Sequence, residues 1–166
     1  MAAPMTAERL LAVARETIRA AEYCFLITQD RSGQVSTRLM QPFDPEPDLT
    51  IWMGASPKSR KVRQIREDGR ATLAYQDKAS NAYAVLSGSA AIVDDPAQRR
   101  HYWREGWEAF FKQGPEGEDY VLIRFTPNRI ELMNFAQEVA PEPYGLRPAV
   151  LLRQGEGWVV AGEEAG

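Results

Sequence analysis

The chain has 166 residues, 44% of them hydrophobic and 26% charged, with a formal net charge of −3. That length suits one domain with a real core, and the negative balance argues against general attraction to nucleic acid or an anionic membrane. One cysteine and one histidine exclude a disulfide framework and leave little for a transition-metal site or a Ser-His-Asp triad.

Taken in order, the amino terminus has no charged-then-apolar leader pattern and no apolar run reaches membrane-spanning length, so a cytoplasmic protein is expected. Ala7 to Glu22 reads as an amphipathic helix capped by Thr6, with Leu10, Leu11, Ala14, Ile18 and Ala21 at helical spacing. Tyr23 to Thr28 is an apolar strand that buries Cys24, and Gln29 to Gly33 turns into a second strand, Gln34 to Pro42. Along that strand Gln34, Ser36, Arg38 and Met40 share one face, and Val35, Thr37 and Leu39 the other. Leu49 to Met53 is a third strand, carrying Trp52.

The third strand delivers the chain into Gly54-Ala55-Ser56-Pro57-Lys58-Ser59-Arg60-Lys61. Ser56 suits an N-cap and Pro57 the first helical position, and the helix is expected to run to Glu67 with Val62 and Ile65 inward. A helix start with a hydroxyl, a guanidinium and an ammonium beside it favours a phosphate. A solvated basic face serves equally well as a reading of this stretch alone.

Strands are expected at Ala71 to Gln76 and Tyr83 to Val93, with Gly88 marking a bulge or a close backbone approach. Asp94-Asp95-Pro96 opens a helix that places Trp103 and Trp107 on one face, weakened locally by Gly106. Tyr120 to Phe125 and Arg129 to Phe135 read as strands joined at Thr126-Pro127-Asn128. An extended tail at Val139 to Tyr144 and a last hairpin, Val150 to Arg153 with Trp158 to Val160, complete the chain. Many short strands with hairpin connections predict a mainly β fold, an antiparallel barrel or sandwich with peripheral helices. No Gly-x-Gly-x-x-Gly or Walker loop is present, so a Rossmann domain is disfavoured.

His101 lies beside Arg99 and Arg100 on the expected helix and reads as a surface residue. Arg38 sits mid-strand among apolar neighbours, where an unpaired guanidinium is costly. A bound phosphate would account for it, and so would a salt bridge.

The ordered set Thr37-Arg38-Leu39-Met40-Gln41-Pro42, Ile51-Trp52-Met53-Gly54 and Ser59-Arg60-Lys61-Val62-Arg63-Gln64-Ile65 resembles the FMN-binding core of the pyridoxamine 5′-phosphate oxidase-like split-barrel family. Tyr102-Trp103 and Asp119 to Pro127 are similar to its general-stress-protein branch, and the likeness spans about residues 10–135. The resemblance implies a single domain over 1–166: a six-stranded split-barrel core over about 7–136, then a tail and hairpin over 137–166. It also implies a homodimer with FMN at the interface. Arg38, Ser59, Arg60 and Lys61 would hold the phosphate; Leu39 and Met40 would follow the ring edge with backbone atoms. Trp52 and Met53 would line the flavin, with Tyr83 where the oxidases carry a flavin-touching glutamine and Gln41 where they carry a substrate lysine.

The sequence departs from true pyridoxamine phosphate oxidases in lacking their carboxy-terminal Arg-x-His segment, and Glu142 to Arg147 bears no likeness to it. The implied function is therefore a flavin-dependent oxidoreductase or stress-related redox protein other than the B6 oxidase. The alternatives are a flavin carrier or sensor without turnover, FAD in place of FMN, or a deazaflavin or haem on the same barrel.

Overall fold

A computed structural model of the chain describes residues 5–139 and 147–161. The first helix, α1 (Ala7–Ala21), is capped by the Thr6 hydroxyl, which accepts from the Arg9 amide at 3.2 Å. It buries Leu10, Val13, Ala14 and Ile18 against the sheet and leaves its charged side to solvent, as an amphipathic stripe dictates. The strands β1 (Cys24–Gln29), β2 (Val35–Met40) and β3 (Ile51–Ala55) follow, then α2 (Arg60–Glu67), β4 (Arg70–Asp77) and β5 (Ala82–Val93). A short helix α3 (Pro96–His101), a 3-10 turn at Trp107–Ala109, β6 (Val121–Asn134), β7 (Ala149–Gln154) and β8 (Gly157–Val160) complete the described elements.

All eight strands join one antiparallel sheet in the order β2-β1-β4-β5-β6-β7-β8, with β3 attached to β6. The fold is mainly β, as expected, but the sheet is not closed and holds eight strands rather than about six. The first six carry the core; the terminal hairpin adds two more because β7 extends the ladder along β6.

Register fixes which side chains share a face. Arg38 stands opposite Leu26, Leu26 opposite Leu73, and Leu73 opposite Leu86, all on the face that α1 and α2 cover. Leu39, Phe25, Ala74 and Val85 form the corresponding row on the other face.

Three elements differ from the sequence reading. Ser56 does not cap α2: its carbonyl accepts from the Ser59 amide at 3.0 Å in a turn that delays the helix to Arg60, with Ser59 at the cap position. Trp103 and Trp107 do not share a helix, because α3 ends at His101 and Gly106 takes a φ of +90° that no continuing helix allows. The rings meet regardless, edge to face at 5.7 Å. The expected break at Thr126-Pro127-Asn128 is instead a bulge within a continuous β6: Ser87 pairs Arg129 and Gly88 pairs Pro127, leaving Asn128 as the extra residue. Of the tail expected over 139–144, only Val139 lies among the described residues, in a bridge to Asn134. The segment 142–147 lies outside them but for Arg147.

Gly88 permits the bulge by having no side chain. A Cβ there would stand 2.1 Å from the Thr126 carbonyl oxygen and 2.8 Å from Pro127 Cα. Both are backbone atoms, so Gly88→Ala is expected to lower stability by about 1–3 kcal/mol in urea unfolding. An unchanged midpoint would mean that β6 shifts without cost.

Cys24 is buried beside Tyr75, and burial pushes its thiol from an ordinary 9.0 up to about 12. The folded value exceeds the unfolded one, so this stabilising contribution is complete below pH 9 and is lost as pH rises from 9 towards 12. Native protein is expected to resist thiol-alkylating reagents up to pH 9 and to react stoichiometrically once unfolded.

Candidate functional site

The site grows from the antiparallel pair β1–β2 and the helix α2 that crosses it. On the edge strand β2, Arg38 points to the covered face, half-buried, and desolvation is the first cause of its lowered pKa. The second cause is the charge of Arg60. Lys61 shows the same pattern: burial lowers its pKa most, and the charge of Arg38 lowers it further. Arg38 is thus close enough to both Arg60 and Lys61 for their charges to oppose its own.

No carboxylate among the described residues is paired with them. The ion pairs among the described residues involve other groups, and the side chains of Arg60 and Lys61 make no hydrogen bond there. Arg38 has only neutral partners: Nη1 donates to the Leu26 carbonyl at 3.1 Å and to Thr28 Oγ1 at 2.7 Å, and Nη2 to Gln64 Oε1 at 3.5 Å. The salt bridge that could have explained Arg38 is therefore not formed among the described residues. Burial of a cation beside other cations is unfavourable unless an anion joins them.

The start of α2 completes this corner. Val62 and Ile65 anchor the helix in the core, which turns Arg60 and Lys61 towards β2. Ser59 Oγ donates to the Ser56 carbonyl at 2.7 Å and makes no cap bond to the helix. First-turn amides therefore lack a side-chain acceptor, and the first turn contains no acidic residue. Cations and free amides make a donor set suited to a phosphate dianion, whereas the one hydrogen of the Ser59 hydroxyl is committed to Ser56.

The remaining expected site residues fall in different places. Leu39 projects outward from β2 and is 59% exposed, whereas Met40 leans on the core. Gln41 is exposed and lines a cavity of about 320 Å³ with Phe43, Tyr75 and Arg104. Trp52 and Met53 are buried, at 4% and 0% exposure, so their side chains belong to the interior. Met53 is in the main core, while Trp52 stacks on Tyr102 at 4.9 Å and donates from Nε1 to Glu46 Oε1 at 3.0 Å. Tyr102 donates to the same carboxylate oxygen. Tyr83 is half-buried on β5, two residues from Val85, and so lies on the face opposite Arg38.

Arg38, Arg60 and Lys61 thus come together in one chain, with Ser59 beside them in sequence at the helix start; Tyr83 does not join them. Sequence reasoning missed Thr28 and Gln64, the two side chains that hold Arg38. Gln64 lay within the quoted stretch, but only register and helix facing reveal its contact with β1 and β2.

Residues 11–137 match the family model described as pyridoxamine 5′-phosphate oxidase like. A solved structure of a protein related to general stress protein 26 from Clostridium acetobutylicum is 19% identical with a TM-score of 0.68, covering 78% of this chain and 91% of that one. A pyridoxamine 5′-phosphate oxidase-related, FMN-binding protein from Nostoc punctiforme is 15% identical with a TM-score of 0.68, covering 96% of this chain and 98% of that one. PhzG from Burkholderia lata, in complex with tetrahydrophenazine-1-carboxylic acid, is 19% identical with a TM-score of 0.65, covering 93% of this chain and 88% of that one. No curated protein matches the chain in sequence. The structural likenesses show a shared fold, and the family match carries the assignment: this chain belongs to the pyridoxamine 5′-phosphate oxidase-like family.

Proposed function

We propose that the protein binds FMN and serves a flavin-dependent redox role other than pyridoxamine phosphate oxidation. The observation that carries this reading is Arg38, half-buried on neutral partners, with the charges of Arg60 and Lys61 near it and no carboxylate paired to any of the three among the described residues. The donor set fits the flavin's phosphate, which would take charge-assisted bonds from the two arginines and the lysine. The β2 backbone beyond Arg38 would run along the ring edge, and Trp52 and Met53 would act through backbone atoms, their side chains being buried. Gln41, a neutral residue where the oxidases carry a substrate lysine, favours a substrate other than the vitamin B6 phosphates. When bound, the flavin itself supplies the electron and hydride chemistry.

The working unit in this reading is a homodimer. Phe25, Val35 and Leu39 are 50%, 53% and 59% exposed on the uncovered face of two adjacent strands, an apolar surface that a second copy would cover. Tyr83 shares that face, so one chain cannot bring it to the side of the sheet where Arg38 lies.

Saturable FMN binding is expected for the isolated protein, with the absorbance of bound oxidised flavin. Arg60→Ala with Lys61→Ala should weaken it by several kcal/mol, with about 1.5–3 kcal/mol from half-buried Lys61 and a smaller share from exposed Arg60. Folding should be nearly unchanged. Unchanged FMN affinity in that double variant would move the phosphate site elsewhere. Leu39→Asp should convert a dimer to a monomer by light scattering and weaken FMN binding with it. Loss of flavin from an intact dimer would separate the two properties and contradict the shared interface.

A further inference from the structure

Resting on the phosphate reading above, we infer that Thr28 and Gln64 are positioning residues that lock one edge of the Arg38 guanidinium and leave its other edge for the anion. An arginine has five N–H donors and no acceptor, so every bond direction around it is fixed. Nη1 spends both hydrogens, on the Leu26 carbonyl at 3.1 Å and on Thr28 Oγ1 at 2.7 Å. Having accepted there, the Thr28 hydroxyl donates onward to Gln64 Oε1 at 2.6 Å. Gln64 Oε1 also receives Nη2 at 3.5 Å, and Gln64 Nε2 donates to Ser36 Oγ at 3.4 Å. The amide of Gln64 is thereby oriented with its oxygen towards the cation.

Thr28 Oγ1 and Gln64 Oε1, being 2.6 Å apart, share the Nη1–Nη2 edge. The donors that no described residue takes up are Nε–H and the second Nη2 hydrogen, two parallel N–H groups on the adjacent edge. That is the fork that meets two oxygens of a phosphate at once. Thr28 and Gln64 are 2% and 3% exposed, so both are fixed by packing and cannot themselves reach a ligand in solvent.

Their neutrality matters as much as their placement. A carboxylate at position 64 would also satisfy Arg38, but it would cancel the charge that the site directs at its ligand. A glutamine aims the guanidinium and leaves its charge intact. Through its bonds to Arg38 and Ser36, Gln64 also ties the helix carrying Arg60 and Lys61 to the strand carrying Arg38.

The test compares wild type, Gln64→Leu, Thr28→Val, Arg38→Ala and the double variant Arg38→Ala/Gln64→Leu, each checked for folding by circular dichroism. Two ligand readouts are taken: the ratio of riboflavin to FMN dissociation constants, which isolates the phosphate, and the melting-temperature rise caused by inorganic phosphate against chloride at equal ionic strength. Gln64→Leu is expected to cut the ratio by about tenfold or more and to abolish most of the phosphate-induced rise, with Thr28→Val acting in the same direction. In the Arg38→Ala background, Gln64→Leu should cause no further loss. An equal loss there would show that Gln64 acts through general packing, and would overturn the inference. So would an unchanged ratio in folded Gln64→Leu and Thr28→Val, or a wild type that responds to neither FMN nor phosphate. A wild type that responds to phosphate but not to FMN would sink the flavin reading alone, with the phosphate readout still deciding for or against Thr28 and Gln64.

Discussion

A guanidinium turned to the covered face of a sheet, with neutral acceptors only and two more cations for neighbours, is the constraint on which the site's organisation rests. Desolvating Arg38 has a cost that neutral acceptors reduce without removing, and the proximity of Arg60 and Lys61 raises it further. The fold accepts this because the apolar anchors Val62 and Ile65 hold α2 against the sheet from its other positions. Stability is supplied by the row of Leu26, Leu73, Leu86 and Ile130, which continues from Arg38 across the covered face into the core. The site thus sits at the edge-strand end of the core row.

The second organising feature is the division of the sheet into two faces. One is covered by α1 and α2 and carries Arg38. The other presents Phe25, Val35 and Leu39 to solvent and carries Tyr83. In the proposed dimer, a second copy would cover the apolar surface. The aromatic cluster around Trp52, Tyr102 and Tyr120 plays a different part. It forms a satellite core in which the Glu46 carboxylate ties Trp52 to Tyr102, and so it fixes the stretch between β2 and β3.

Most of the fold was legible in the sequence, because alternation and turn residues report directly on a half-buried antiparallel strand. The face division of β2 follows from period two alone, and Gly88 announced a close approach by its placement inside a strand. What sequence could not supply was competition between local and distant partners. Ser56 looks like a cap, but its carbonyl is taken by a turn; Pro127 looks like a break, but Asn128 absorbs it as a bulge. Trp52 and Met53 illustrate the same limit at the site: residue type allows a ligand wall, and only packing shows that both side chains are buried. The cations of the site were legible as a cluster, whereas Thr28 and Gln64 became visible only when register brought β1, β2 and α2 together.

The measurement that bears most directly on this account is a titration of the wild-type protein with FMN and, separately, with riboflavin, in low and high inorganic phosphate. The account predicts one tight FMN site per protomer, much weaker riboflavin binding, and a loss of FMN affinity as phosphate rises while riboflavin is unaffected. Equal affinity for FMN and riboflavin, or no competition by phosphate, would contradict it.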